Sequence, residues 1–364
     1  MGRRLLVMGA GRGSSNNLVS SLRRGDPSIH VVGAHSDRFA LAQSNADRRY
    51  LVPPCDHPAF IPSLNALVEK EDIELLIPNS DEDVRVVASR CAEIRCRTFL
   101  PRPEVVDLCQ DKYALTSFLH TRGVSVPATR ALTSVDDLEE VFAALAPHSP
   151  LWCRLRTGQG GMGAMLVTRP DQARAWIGYW VEMRGMTPAS FTLSEYLPGR
   201  DFACQALFKA GRLIVIKSYE CLTYLGAGAH PAGFSSLAAL SKTVCAPDVV
   251  AVCVAAVRAL DADASGVFCY DVRQNVSGAP CLTEINAGRF GLSTAIFDIP
   301  GRHNTASIYV QLAFDEPVGL SDEYDAADGY YLVRDYDTVP SVVHADALFE
   351  GTEEVWEGVS LAEN

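Results

Sequence analysis

The chain has 364 residues with a net charge of −12, and 48% of them are apolar. That length supports two or three domains with separate cores, and the apolar fraction is ordinary for a globular protein. No run of 18 or more residues is uninterruptedly apolar, which argues against a membrane span, and the acidic balance without a basic stripe argues against nucleic acid as a partner.

The opening Met1-Gly2-Arg3-Arg4 is followed by only four apolar residues, Leu5 to Met8, before Gly9. This is too short for the hydrophobic region of a signal peptide and reads as a first β-strand, which also argues against acylation at Gly2. Eleven cysteines are scattered, mostly inside apolar runs, with no C-x-x-C pair. Reduced, buried thiols in a cytoplasmic protein are the expectation.

Residues 1–108 alternate short apolar runs with helical spacing. Strands are expected at Leu5 to Met8, His30 to Gly33 and Leu75 to Ile77, with helices near Leu18 to Arg23 and Ala59 to Glu71. Such alternation predicts a parallel sheet covered by helices on both faces. The loop Gly9-Ala10-Gly11-Arg12-Gly13 approaches a dinucleotide fingerprint but fails at Ser14, and no acid ends the second strand. A tight strand-to-helix turn is the better reading. Asn79-Ser80-Asp81-Glu82-Asp83 follows the third strand at the sheet edge where ligands dock. Asp81 or Asp83 there either holds the amino group of a substrate or, slightly preferred, belongs to a helix N-terminus with acids in its first turn.

From Asp111 the pattern changes. A helix runs to His120 and ends at Arg122-Gly123, followed by strands at Leu151 to Leu155 and Met165 to Val167 and a helix over Ala173 to Met183. Between those strands lies Arg154-Leu155-Arg156-Thr157-Gly158-Gln159-Gly160-Gly161-Met162-Gly163. Its glycines let the backbone approach a polyphosphate, although a ligand-free flexible hairpin has the same composition. Strands then dominate, at Phe191 to Tyr196, Phe202 to Phe208 and Leu213 to Tyr219, with a helix over Val249 to Leu260. The loop Leu225 to Gly233 either borders a substrate carboxylate, with His230 as a polar contact, or is a plain surface loop. His303-Asn304 either lines a substrate pocket or caps the following helix. The acidic last forty residues, strand-like at Gly329 to Val333 and Ser341 to His344, are expected to pack back on the body.

The most informative residues lie in two apolar runs, Val267 to Val272 and Cys281 to Asn286, separated by the turn-like Asn275-Val276-Ser277-Gly278. Alternation along a strand puts Glu284 and Asn286 on one face, with Leu282 on that face and Ile285 on the other. Pairing as a hairpin brings Asp271 toward both, giving two carboxylates and an amide, hard oxygen ligands suited to Mg²⁺ beside a phosphate.

Together these motifs resemble the ATP-grasp superfamily, in particular its carbamoyl-phosphate-synthase-large-chain-like members. The resemblance implies an α/β and α+β architecture, with a Rossmann-like domain (1–108) ahead of a two-lobed grasp domain. Its lobes span 109–190, with the glycine flap, and 191–318, with the metal site, before an extension over 319–364. It implies that Lys112, Arg154, Gly160, Gly161 and Gly163 contact ATP phosphates, that Glu195 and the main chain near Leu197 hold adenine, and that Asp201 contacts ribose. It also implies that Asp271, Glu284 and Asn286 bind two Mg²⁺, with Mn²⁺ as a substitute, and that Arg154 and Arg289 act on the transferred phosphoryl group. Asn286-Ala287-Gly288-Arg289 is one residue longer than the usual Asn-Pro-Arg. The implied activity is ATP-dependent joining of a carboxylate, an amino acid being one candidate, to an amine through an acylphosphate. Carboxyphosphate or carbamate chemistry and a non-catalytic nucleotide-binding module are the rivals. Small molecules are then the partners, and a homodimer is left open by the frequency of dimers among similar proteins.

Overall fold

A computed structural model describes residues 2–158, 160–229, 235, 237–293, 297–320, 322–325, 328–334 and 351–354. The first unit is built on β1 (Arg4–Met8), β2 (His30–His35), β3 (Arg48–Leu51) and β4 (Leu75–Ile77). With β15 (Thr352–Glu354) they form a five-stranded sheet, order β15-β3-β2-β1-β4, in which every pair is parallel. Strands β1 and β4 are buried almost throughout, so they read as continuous apolar runs. Helices α1 (Gly13–Gly25), α2 (Arg38–Ala42), α3 (Phe60–Lys70) and α4 (Asp81–Ser89) cover it. Gly11 sits at φ +88, and a Cβ there would meet the Ala40 carbonyl at 1.7 Å, so the turn ahead of α1 requires glycine.

Helix α5 (Pro103–Gln110) straddles the expected boundary at 108, and Asp111 then caps α6 (Lys112–Thr121). The next layer is a four-stranded antiparallel sheet, order β5-β8-β6-β7. Its strands are β5 (Thr129–Ala131), β6 (Leu151–Leu155), β7 (Met165–Val167) and β8 (Phe191–Glu195). Helices α7 (Leu138–Ala144) and α8 (Pro170–Arg184) share its core, where Leu138, Leu151, Cys153, Ile177 and Phe191 are buried.

The third sheet has the order β13-β12-β9-β10-β11-β14 and is antiparallel throughout. It comprises β9 (Asp201–Lys209), β10 (Arg212–Tyr224), β11 (Ala238–Thr243), β12 (Gly266–Gln274), β13 (Pro280–Ala287) and β14 (Tyr331–Val333). One face, with Phe202, Phe208, Phe268 and Tyr270, packs on residues of α5, α6 and α9 (Pro247–Leu260). Part of the other face, with Leu207, Val215 and Val267, shares a core with α10 (Thr305–Ala313) and with β1 and α1 of the first unit. The late chain therefore returns to both ends, β14 to the edge of this sheet and β15 to the edge of the first. The strand-like stretch Ser341 to His344 lies outside the described residues.

Candidate active site

The hairpin β12–β13 turns through Asn275 to Gly278, where Gly278 N–H donates to the Asn275 carbonyl at 3.0 Å and Gly278 adopts φ +81. Asp271 stands opposite Glu284 and Cys269 opposite Asn286, so the three oxygen-bearing side chains share one face. The expectation for Leu282 fails. Val272 pairs with Leu282 while Asp271 pairs with Glu284, leaving Thr283 as an extra residue in the ladder. This β-bulge resets the alternation, so Leu282 joins Ile285 in the apolar core instead of sharing the face of Glu284. It also frees the Thr283 carbonyl, which accepts from the Arg154 guanidinium at 3.1 Å.

These side chains line a cavity of about 900 Å³ reached by all three sheets. Asp271 is enclosed by protein yet open to the cavity's own space. Its enclosure, with the charges of Glu284 and Asp201, raises its pKa above the usual carboxylate range despite Arg289 and Lys112. Arg154, on β6, is half-buried, and its enclosure lowers its pKa against the opposing pull of Glu284 and Asp271. Its buried Nε has no hydrogen-bond partner among the described residues. Two carboxylates and an amide with unmet negative charge suit a hard divalent cation sharing its shell with phosphate. Among the described residues no three His, Cys, Asp or Glu side chains converge, so Asp271, Glu284 and Asn286 are a set of two acids and one amide.

The predicted phosphate contacts surround that face. Lys112, at the start of α6, reaches Glu284 at 3.4 Å and donates to the Gly158 carbonyl at 2.7 Å, linking the acidic face of the hairpin to the flap. Gly160, Gly161 and Gly163 adopt φ of 70–72°, a left-handed backbone that glycine takes without strain. Gly160 and Gly161 line the cavity. Gly163, in the described part of the same flap, is tied down by Trp176, whose indole N–H donates to its carbonyl at 2.9 Å. Arg289 donates to Asn286 Oδ1 at 2.6 Å and pairs with Asp81. The residue added between Asn286 and Arg289 therefore still leaves the guanidinium beside Asn286 on the acidic face.

Glu195 and Leu197 line the cavity beside Trp152 and Tyr196, whose rings lie 6.3 Å apart. The Glu195 carboxylate accepts from Ala128 N–H at 3.3 Å, and its own N–H donates to Ala128 O at 2.8 Å. Asp201 accepts from the Tyr224 hydroxyl and lies 3.5 Å from Arg273 Nε. Burial raises the Asp201 pKa, with Arg273 and Tyr224 opposing.

The expected substrate residues divide. Asp83 lines the cavity, and burial pushes its carboxyl up to about 6. Ser80 caps α4 by accepting from Asp83 N–H at 3.1 Å, with Asp81, Glu82 and Asp83 in the first turn. Asp81 is committed to Arg289. Asn304 caps α10 through Ser307 N–H at 2.8 Å, and neither it nor His303 lines the cavity. His230 lies outside the described residues. Two contributors escaped sequence reading. Asn79 ties the loop after Arg289 to the first unit, accepting from Phe290 N–H at 2.8 Å and donating to Ser15 at 3.1 Å. Tyr219, a cavity residue on β10, shares a 2.6 Å hydrogen bond with Ser293.

A parallel-sheet domain followed by two antiparallel-sheet lobes, with a glycine flap and an acidic hairpin between them, matches the fold of ATP-grasp proteins of known structure. Residues 5–96 match the family model described as the PylC-like, N-terminal domain. The chain is similar in structure to the L-amino acid ligase from Bacillus licheniformis, with TM-score 0.64 and 14% identity, over 85% of this chain and 74% of that one. It is also similar to the biotin carboxylase domain of the 2-oxoglutarate carboxylase from Hydrogenobacter thermophilus, solved as a dimer with MgADP, ADP and bicarbonate. There the TM-score is 0.68 and the identity 15%, over 91% and 73% of the chains. N5-carboxyaminoimidazole synthase from Aspergillus clavatus, in complex with ADP and 5-aminoimidazole ribonucleotide, gives a TM-score of 0.65 and 15% identity over 89% and 80%. No curated protein matches the chain in sequence. Among the described residues no helix is long and apolar enough to cross a membrane.

Proposed function

We propose that this chain is an ATP-dependent carboxylate–amine ligase, with an amino acid as one candidate for the carboxylate, releasing ADP and phosphate. The observation that carries this reading is the Asp271, Glu284 and Asn286 face, ringed by Lys112, Arg154 and Arg289 inside a cavity under the glycine flap. Asp271, Glu284 and Asn286 would hold Mg²⁺, which when bound neutralises phosphate charge and orients the γ-phosphoryl group. Lys112 and Arg154 would supply fixed positive charge along the phosphates, and main-chain N–H groups of Gly160 and Gly161, which line the cavity, would meet them from the flap. Trp152, Tyr196 and Leu197 offer an apolar and aromatic wall for the base, with Asp201 at the ribose. Arg289, steadied by Asp81, would contact the carboxylate and the γ-phosphate where they meet.

A carboxylate oxygen attacks the γ-phosphorus and ADP leaves with the bonding pair. The amine nitrogen then attacks the acyl carbon, phosphate departs, and the nitrogen loses a proton. Positioning and charge neutralisation carry such a reaction, and no protein nucleophile is required. A second reading, carboxyphosphate chemistry, draws support from the structural neighbour solved with bicarbonate.

The test is ADP release by the full chain with MgATP and pools of amino acids, with and without bicarbonate. Release requiring both a carboxylate and an amine is expected. Strict dependence on bicarbonate selects the second reading, and nucleotide binding without turnover on any pool refutes both.

A further inference from the structure

The cations lining the cavity are almost all answered from within the protein. Lys112 meets Glu284, Arg12 meets Asp37 at 3.4 Å, Arg273 meets Asp201, Arg289 meets Asp81, and Arg154 meets the Thr283 carbonyl. Arg334 is different. It follows β14, outside every motif that carries the ATP-grasp resemblance, and its half-buried side chain lines the same cavity. Among the described residues its guanidinium has no hydrogen-bond or ion-pair partner.

The placement of Arg334 is built into the fold. β14 pairs antiparallel with β11, Leu240 against Val333, and Arg334 N–H continues the ladder by donating to the Ala239 carbonyl at 2.8 Å. Its backbone is thereby fixed on the edge of the sheet that also carries Asp271. Tyr219, buried on β10 of that sheet, feels both the Asp271 carboxylate and the Arg334 guanidinium. One phenol thus stands within electrostatic reach of the acidic hairpin and of this cation. With Ser293 it adds hydroxyl groups to the wall on that side.

A partly desolvated guanidinium without a counter-ion is unfavourable, and its planar fork suits a carboxylate bidentately. Lys112, Arg154 and Arg289 surround the expected phosphate path, so the nucleotide does not require Arg334. In carboxylate–amine ligation the attacking molecule carries a spare carboxylate if it is itself an amino acid.

We infer that Arg334 binds the unactivated carboxylate of the amine-bearing substrate, which makes that substrate an amino acid rather than a neutral amine. The inference rests on the ligase reading for the identity of the substrate, but the anion site itself is separately measurable.

The experiment uses the full chain with Mg²⁺ and a non-hydrolysable ATP analogue, titrated with a pool of standard L-amino acids, the matching pool of their carboxamides, and then single members. The wild-type chain is expected to bind acids and not carboxamides. Arg334→Gln should weaken acid binding by about tenfold to a hundredfold, as for loss of a charged hydrogen-bonded pair. Arg334→Lys should lie between, and the thermal shift caused by the nucleotide analogue, retained in both variants, shows that they fold. Equal binding of acids by Arg334→Gln, equal binding of carboxamides, or no acid binding by the wild type overturns the inference. Acid binding through Arg334 without ADP release on any pool upholds the anion site and sinks ligation. ADP release indifferent to Arg334→Gln does the reverse.

Discussion

Two groups of enclosed charge sit on the same six-stranded sheet and differ in how far the protein completes them. Lys217, on β10, is 2% exposed and is surrounded by Asp298 and Asp325, each at 3.1 Å, and by the carbonyls of Phe297 (2.7 Å) and His303. Asp298 also accepts from Thr305 N–H and hydroxyl, and Asp325 from Arg302 and His303 N–H. Every strong group there has its counterpart. On the hairpin, Asp271 and Glu284 oppose each other with Arg154 and Lys112 only partly offsetting them. The comparison separates a closed ionic network, which fastens residues 297–305 and 325 to β10, from an open one, which leaves charge for a ligand to answer. The closed network is also shut off from solvent, whereas Asp271 and Glu284 open on the cavity, so completeness and accessibility differ together.

The sharpest way to break the comparison is to open the closed network. Lys217→Met strands two buried carboxylates and should cost about 3–5 kcal/mol of stability, read by urea denaturation. A loss below about 1 kcal/mol would mean that the network is no fastener. Glu284→Gln removes charge without changing shape, so it should lower ADP release by roughly two to three orders of magnitude while the denaturation midpoint stays put. Near-normal turnover refutes the metal assignment.

The closed network also has an acid limit. Burial alone would raise the Asp325 pKa, but the Arg302 and His303 N–H groups and Lys217 outweigh it and hold it below the ordinary aspartate value of 3.8. In the window beneath 3.8 the unfolded chain therefore binds more protons than the folded one, and stability falls with pH there by at most about 1.4 kcal/mol per unit. Asp325→Asn should flatten that arm of the acid-denaturation curve, and an unchanged arm removes Asp325 from the account. The smallest effect belongs to Asn304→Ala, which should cost about 1 kcal/mol through the lost α10 cap and leave the KM values unmoved. A raised substrate KM at unchanged stability would return Asn304 to the substrate pocket.

Much of the architecture was legible because the signals were local. Continuous apolar runs marked β1 and β4, and Asn275 to Gly278 with its flanking alternation marked the hairpin. Strand β3 was missed because Arg48 and Arg49 open it, and its pairing between β2 and β15 depends on distant chain. The bulge at Thr283 was invisible for the same reason: alternation within one strand carries no record of an unmatched residue in the ladder. The facing of Asp271 and Glu284 survived that error, since both lie on the same side of the bulge. Lys217 left a usable sign, a lone lysine after the apolar run Leu213 to Ile216. Ser80 to Asp83 announced the cap of α4, but nothing nearby in sequence announced that Asp81 would meet Arg289.

The pairing of β15 with β3 has a consequence for the newborn protein. Residues 48–51 leave the ribosome long before residues 352–354, so the first sheet waits with one border uncovered throughout most of synthesis. Shortening the chain before Thr352 would make that temporary condition permanent, and self-association through the bare border of β3 is the outcome to look for.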